Sequence, residues 1–533
     1  MNGAQSLFKA LVDAGITTCF ANPGTSEMQL VYEMGLSDAV RPILCLQEDV
    51  VTGAADGFGR VTGAPAFTLL HVGSGFANGI AMLHNAARAN TPLINVVGAN
   101  ASYHQPNYPE HEFVNGRISD LARAVSHWCQ EARSASHLGQ LGAEAAVLAK
   151  QGKVCTIIAP ANRDWEDANA PGLYQVQARP LCARETIERA ARMLSNGRKT
   201  GLVLGNVALH GDALETAGRI AAKTGATLLC ETFPSSYLAR GAGRPVIDPI
   251  PYEFEMGVRF LQSFEQLILV GALSPVATFA YRNKPVMKSP ANCELFEMAA
   301  VDYDLAEALR SLALATHAGN ASVARRSRVS PPVPAGPLTA NAIGASLTLL
   351  MPDDAILVDE AATNGPFIGE FTKGAAKHDY LNPVTGGAIG GGLPMALGAS
   401  IACPDRKVVL LQADGSGMYG IQALWTMARE KADVVIVLLR NDRYNILGLE
   451  LARVREQPVN SRMDSMISLD QPSIDWVQTA GGLGVGAVRA ESAEAFHEAF
   501  AAALREPGPR LIECLVPIPG EWRQLEDLVH KSR

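Results

Sequence analysis

Two oxygen-bearing side chains at the ends of neighbouring apolar runs carry the sharpest chemical signal in this sequence. The segment VVLLQADGSG, residues 408–417, reads as a buried strand running into Asp414, Gly415 and Ser416, with a helical stretch over 421–431 behind it. A second apolar run, VVIVLLRND, ends in Asn441, 27 residues after Asp414. A strand, a helix and a parallel neighbouring strand return the chain to the same sheet edge, which would set Asn441 beside Asp414. That pair suits a hard cation such as Mg2+, which keeps an oxygen shell and takes few protein ligands besides phosphate oxygens and water; the main-chain carbonyl of Arg443 could add a third. Gly415 lets a diphosphate approach the backbone where helix-opening N–H groups face it. Taken singly, Asp414 is also a routine helix cap and Asn441 a routine strand end.

Two titratable residues near the amino terminus stand in apolar surroundings. Glu48 follows a strand-like run and is flanked by Ile43, Leu44, Leu46, Val50 and Val51, a setting suited to an acid that holds its proton; beside Asp49 it also reads as the solvated start of a helix. His71 lies 23 residues further on, at the end of a strand otherwise made of Phe67, Leu69 and Leu70. Histidine titrates near neutrality and suits a proton relay, although a lone histidine on such a strand also serves as a satisfied core residue.

These residues resemble the signature of the thiamine diphosphate-dependent decarboxylases and carboligases, GDG followed some two dozen residues later by Asn, with Ala413 standing where the family has its first Gly. The likeness extends over nearly the whole chain and is strongest to the benzoylformate decarboxylase branch. Asn22, Pro23, Gly24, Thr25 and Glu27 look like its NPGSxE loop, residues 46–48 and 55–57 like its LQE and ADG segments, and TGGAIGGGLPMALG (385–398) like the stretch beneath the coenzyme's pyrimidine.

The resemblance implies a role for each position. Glu48 shares a proton with the pyrimidine ring, His71 relays protons, and Thr25, where the branch has Ser, bonds the substrate carboxylate. Ile389 is the wedge that bends the coenzyme, and Gly387 offers its carbonyl to the amino group. Asn78, Thr363, Gly415, Ser416 and Tyr444 complete the coenzyme contacts, and Asp414, Asn441 and Arg443 are the Mg2+ ligands. The implied activity is thiamine diphosphate- and Mg2+-dependent, non-oxidative decarboxylation of a 2-oxo acid, with aldehyde carboligation beside it. The branch's second histidine is missing from SPVATFAYRNKP (274–285), where Phe279 and Tyr281 stand nearest. Ile446 and Leu447 fall at substrate-lining positions and imply an apolar or aromatic side group.

Two other readings compete. An acetolactate synthase-like carboligase shares the scaffold, but its NN…GM…QW run is replaced here by NDRYNILGLEL (441–451). A coenzyme-binding paralogue without turnover would be expected to lose Glu48. In the family, Glu48 of one subunit would meet Asp414 of another, so a homodimer is the minimum and a homotetramer is expected.

The elements that must position these groups read as α/β throughout. In residues 1–165, the pyrimidine-binding unit, a helix stopped by Gly15 precedes strands at 17–20, 43–46, 67–71, 93–97 and 154–158. A central α/β unit over 182–326 holds a helix at 185–194 and strands at 201–204, 227–229 and 267–270. The Ser-, Pro- and Gly-rich stretch 327–337 reads as a linker. The diphosphate-binding unit, 338–533, adds strands at 355–358, 408–412, 434–439 and 510–514. Three parallel-sheet domains suit 533 residues at about 150 per domain.

Composition narrows the function classes. Hydrophobic residues at 48% and charged residues at 18% describe a globular chain with ample core. A net charge of −8 without a basic run argues against nucleic acid as a partner. No apolar stretch approaches the roughly 18 residues needed to cross a bilayer, and no basic segment leads into an apolar one at the amino terminus, so a cytoplasmic protein with no membrane partner is expected. Nine cysteines without a CxxC pair read as reduced thiols, and the histidines show no zinc spacing. GNVALHG (205–211) is not the GxGxxG of a nicotinamide dehydrogenase.

Overall fold

The computed structural model describes residues 1–520 except 105, 106, 108–110, 112, 114, 173, 175, 176, 455 and 456. Three mainly parallel sheets follow one another along the chain, each with helices between its strands. The first has the order Arg41–Leu44, Thr18–Asn22, Ala66–Leu70, Leu93–Ala99, Val154–Pro160, Trp128–Glu131. The second is built from Asp248–Pro249, Thr227–Cys230, Thr200–Leu204, Gln266–Val270 and Glu294–Ala299. In the third, Val408–Ala413 lies between Ala355–Glu360 and Val434–Arg440. Helices on both faces explain why the runs VVLLQA and VVIVLLR are buried almost end to end instead of alternating. The α/β class expected from the sequence is the class observed.

One strand crosses the expected boundary. Leu238–Arg240, placed by sequence in the central unit, pairs antiparallel with His378–Leu381 at the edge of the third sheet. A three-residue strand is too short to show a period, so only the tertiary fold could reveal its partner. Residues 327–337 form no helix or strand, but Val329 N donates to Gly374 O at 2.9 Å and Gly336 N to Glu494 Oε1 at 2.9 Å, so the linker is tied to the third sheet's unit.

The first and third sheets share a core. Helix Glu48–Thr62 lies against helix Gly392–Ala402, and Val50, Val51 and Ala54 join Leu393, Met395 and Leu397 in one apolar cluster. The two backbones approach closely because small residues meet at the crossing. A Cβ on Gly398 would stand 1.9 Å from Ala54 O, and one on Gly57 2.3 Å from Met395 O. The same helix carries the buried ion pair Asp56–Arg60, at 2.9 Å, and Arg60 Nη1 reaches on to Asn382 O and Thr385 Oγ1. From helix Ile80–Ala89, Asn85 donates to Pro383 O (2.9 Å) and Ala388 O (2.8 Å) and accepts from Ala388 N. The first unit therefore clamps the backbone that leads to Gly387 and Ile389. Among the described residues no helix is long and apolar enough to cross a membrane, and all nine cysteines are free.

Candidate active site

Parallel pairing of Thr18–Asn22 with Ala66–Leu70 sets Asn22 opposite Leu70, so both strands deliver their following residues to one sheet edge. There the strand stops at Leu70, one residue short of the expected end, and His71 precedes helix Val72–Asn78. The His71 Nδ1 atom lies 2.7 Å from Glu27 Oε2, and that oxygen also accepts from Gly24 N at 2.8 Å. Glu27 is wholly buried. A carboxylate that accepts a hydrogen bond from Nδ1–H leaves Nε2 free to accept or return a proton, which is the arrangement a proton relay needs. Thr25 is exposed in the short turn Thr25–Glu27 above this pair.

Glu48 opens helix Glu48–Thr62; it does not end a strand, because strand Arg41–Leu44 stops earlier than the expected 43–46. Gln47 caps this helix, accepting from Asp49 N and Val50 N, which fixes where Glu48 leaves the backbone. The Glu48 carboxyl is buried and accepts from Asn78 Nδ2 at 3.1 Å. A Cβ on Gly75 would stand 2.9 Å from Glu48 Oε1 and 3.0 Å from His71 Cβ, so Glu48 and His71 both lie against the bare face of one glycine.

The second group of residues gathers at the ends of the third sheet's central strands. Val408–Ala413 pairs with Val434–Arg440, Ala413 opposite Leu439, and the chain then turns at Asp414 and Asn441 as the spacing predicts. Asp414 Oδ1 accepts from Gly415 N at 2.9 Å, and Oδ2 accepts from Asn441 N at 3.1 Å and Asp442 N at 2.7 Å. Burial pushes the Asp414 carboxyl up, and these three N–H donors pull it back. Asn441 Oδ1 accepts from Arg443 N, and the Arg443 guanidinium is held by Asp464 at 2.7 Å. Helix 421–431 is observed as Ala423–Glu430, preceded by the short turn Asp414–Gly417. Gly415 is packed under Tyr444, whose ring a Cβ there would meet at 2.4 Å. Ser416 Oγ accepts from Gln412 Nε2 at 2.8 Å, and Thr363 is buried in the neighbouring turn Ala362–Asn364.

Gly387 and Ile389 lie on the exposed turn after Pro383–Gly386, with Gly387 at φ +93° and Gly390 at φ +98°. Within one chain, the Glu48 group sits at the edge of the first sheet and the Asp414 group at the edge of the third. Apolar side chains stand exposed around both: Met28, Tyr32 and Leu46 near the first, Ile389, Tyr419 and Leu447 near the second.

The sequence of residues 1–121 matches the family model described as thiamine pyrophosphate enzyme, N-terminal TPP binding domain, and residues 366–514 match the corresponding C-terminal TPP binding domain. The IlvX protein of Mycobacterium tuberculosis, named after acetolactate synthase large subunits, is 42% identical over 97% of this chain and 99% of its own length. This chain belongs to the thiamine diphosphate enzymes. Its relatives include both decarboxylases and carboligases by name. The benzoylformate decarboxylase of Pseudomonas aeruginosa is 29% identical over 94% of this chain and 96% of its own. The solved structure of a thiamine diphosphate-dependent 4-hydroxybenzoylformate decarboxylase from Rhodococcus jostii superposes with a TM-score of 0.81 at 25% identity, covering 97% of this chain and all of that one.

The residues present fit the coenzyme of a thiamine diphosphate enzyme and a cation beside its diphosphate. Asp414 is a buried carboxylate that no lysine, arginine or histidine pairs with among the described residues, and a cation would supply the missing charge. The neighbouring Asn441 side chain adds an amide oxygen. Carboxylate and amide oxygens are donors suited to a hard cation.

Sequence reasoning missed two features of this thiamine diphosphate enzyme. Glu27 was visible as a motif residue, but its bond to His71 spans 44 positions and needed the strand pairing. Asn85 had no signal at all, since an asparagine on an amphipathic helix is ordinary. At the place of the absent second histidine, Tyr281 is engaged elsewhere. Its Oη donates to Glu450 Oε1 at 3.3 Å, and Arg453 lies over its ring at 4.3 Å, so it is bound to helix Asn445–Val454. Phe279 is exposed.

Proposed function

We propose that this protein catalyses the thiamine diphosphate- and Mg2+-dependent, non-oxidative decarboxylation of a 2-oxo acid with an apolar or aromatic side group. The bound coenzyme supplies a nucleophilic carbon for the keto group and an acceptor for the electrons left when carbon dioxide departs. Asp414, Asn441 and the Arg443 carbonyl would hold Mg2+ at the diphosphate, and Gly415, Ser416, Thr363 and Tyr444 would complete the contacts to it. Ile389 would support the pyrimidine, and the Gly387 carbonyl would accept from its amino group. Glu48, steadied by Asn78, holds the proton at the pyrimidine nitrogen. The Thr25 hydroxyl bonds the substrate carboxylate, and His71 Nε2 gives or takes the proton that follows loss of carbon dioxide.

The observation that carries this reading is the bond from the buried Glu27 to His71 beside Glu48, since it turns a histidine into a directed proton relay next to the activating acid. An acetolactate synthase-like carboligase is the second reading, favoured by the name of the 42% identical relative. Carboligation puts a second oxo acid, not a proton, on the carbon that carbon dioxide leaves, and needs a proton only at the new hydroxyl, so a built relay favours decarboxylation. A coenzyme-binding paralogue without turnover is disfavoured by the presence together of Glu48, Asp414 and Asn441.

The working unit is a homodimer at least, with a homotetramer as its doubling. The first unit (1–165) of one subunit faces the third (338–533) of the other, and the central unit (182–326) braces both. The exposed apolar side chains around the two residue groups support this, because a facing subunit would bury them. A cytoplasmic location agrees with the free thiols. The test is incubation of the purified protein with thiamine diphosphate, Mg2+ and a panel of 2-oxo acids. Carbon dioxide with a free aldehyde as main product is expected. Acetolactate from pyruvate as the main product, or no carbon dioxide from any acid, would reject the reading.

A further inference from the structure

Three consecutive glycines follow Ile389, and the amides of two of them are held by a side chain 30 residues away. Glu360 ends strand Ala355–Glu360 and is buried. Its Oε1 accepts from Gly390 N at 2.6 Å, and its Oε2 accepts from Gly392 N at 2.9 Å and from Gln412 Nε2 at 2.9 Å. Gln412 is its partner on the neighbouring strand, and the same Nε2 donates to Ser416 Oγ at 2.8 Å. One carboxylate thus ties the turn bearing Gly387 and Ile389 to the turn Asp414–Gly417. Gly392 makes room for it. A Cβ on Gly392 would stand 2.3 Å from Gln412 Oε1 and 2.8 Å from Glu360 Oε2, and Gly390 has the positive φ that side chains avoid.

We propose that Glu360 is a positioning residue of the coenzyme site, setting the Ile389 turn at a fixed distance from the diphosphate turn by holding the N–H groups of Gly390 and Gly392. The proposal rests on the reading that Ile389 and Gly387 meet the pyrimidine. Every hydrogen-bond partner of the carboxylate is a donor, so a group with acceptors on both sides is what satisfies them. The turn itself is otherwise exposed and has Asn85 as its brace from the opposite side. Releasing Glu360 frees the wedge without touching Asp414 or Asn441.

Glu360→Gln tests this with nearly unchanged volume. Its amide NH2 must face either Gly390 N–H or the Gly392 and Gln412 donors, and a donor facing a donor pushes the turn away. Two measurements on the full-length protein read the result. Without coenzyme, amide hydrogen exchange over residues 387–392 is expected to accelerate at least about tenfold, the change that about 1.4 kcal/mol of lost local stability gives. With coenzyme and Mg2+, thiamine diphosphate affinity stays within about fivefold, while proton exchange at the coenzyme's C2 slows by about a hundredfold, the penalty for a misplacement on the order of 1 Å.

Amide exchange and C2 exchange both equal to wild type would overturn the proposal while leaving the coenzyme reading in place. Amide exchange accelerated with C2 exchange unchanged would also overturn it, since Glu360 would then serve the turn's stability alone. Failure of the wild-type chain to bind thiamine diphosphate would remove the coenzyme reading, and this proposal with it. If Glu360→Gln yields no folded protein, Glu360→Asp keeps the charge but is one methylene too short to span both amides, and the same two measurements apply.

Discussion

Replacing Gly398 by Ala sets two opposing effects against each other, and the structure decides which wins. In an exposed helix interior the change stabilises by about 1 kcal/mol, because alanine loses less backbone entropy. Here the new methyl would stand 1.9 Å from Ala54 O and 2.9 Å from Phe58 N, both backbone atoms of helix Glu48–Thr62. A carbon–oxygen contact needs about 3.3 Å, so the helices would have to part by about 1.4 Å. Neither side has a rotamer to change. The whole seam would open, since Gly57 meets Met395 O and Gly53 meets Pro394 along the same line. Overpacking of a core costs about 1–3 kcal/mol, and a clash between two backbones belongs at the top of that range. The net expectation is a loss of about 2 kcal/mol. Gly481 in helix Trp476–Gly482 is the control: nothing lies within 4 Å of its added Cβ, so Gly481→Ala should gain up to about 1 kcal/mol. Urea midpoints of the two variants and the parent, at equal protein concentration, give the signs. A Gly398→Ala variant as stable as the parent would refute the close-packed seam between the first and third units.

Three further outcomes are expected. Glu48→Gln should bind Mg2+ and thiamine diphosphate as the parent does, yet lose about 10²–10⁴-fold in C2 proton exchange followed by NMR; an unchanged exchange rate removes Glu48 from the reaction. Asp414→Ala should weaken Mg2+-dependent coenzyme binding by at least about 100-fold, or about 2.7 kcal/mol, in calorimetry, and retention within fivefold would contradict its role. Stability should fall on acidification. Burial pushes His378 down to about 3 and His210 to about 4, from an ordinary 6.5. Between pH 6.5 and those values the unfolded chain binds protons that the folded chain refuses, so folded stability rises with pH there and is lost as pH falls. His378 Nδ1 donates to Ala376 O at 2.7 Å, a bond that Asn can replace, so His378→Asn should flatten the acid limb of the denaturation profile. A profile of unchanged slope would mean that His378 does not titrate in that window.

The division of labour between the two residue groups follows from chain connectivity. Each group collects at the carboxyl ends of parallel strands, where loops can vary while the strands stay fixed. Thr25, Glu27 and His71 converge because their strands are neighbours in the first sheet, and Asp414 and Asn441 because theirs are neighbours in the third. The shared core then fixes one sheet against the other, so both groups ride on a single packed body.

What the sequence determined by itself was local or periodic. Apolar runs too continuous for a half-exposed sheet announced buried parallel strands, and a strand–helix–strand spacing announced that Asp414 and Asn441 would meet. The coenzyme motifs were legible for the same reason, since each is a short run in which backbone geometry and side-chain type are fixed together. The tertiary structure decided everything that depends on pairing over distance. It moved His71 off its strand and Glu48 onto a helix, because strand ends are set by neighbours and caps and not by apolarity. It sent residues 238–240 into a sheet that their position in the chain did not suggest. It joined Glu27 to His71 and Glu360 to the glycine turn, bonds across 44 and about 30 positions that leave no periodic trace. A buried carboxylate is recognised only by the donors around it, and those donors are assembled by the fold.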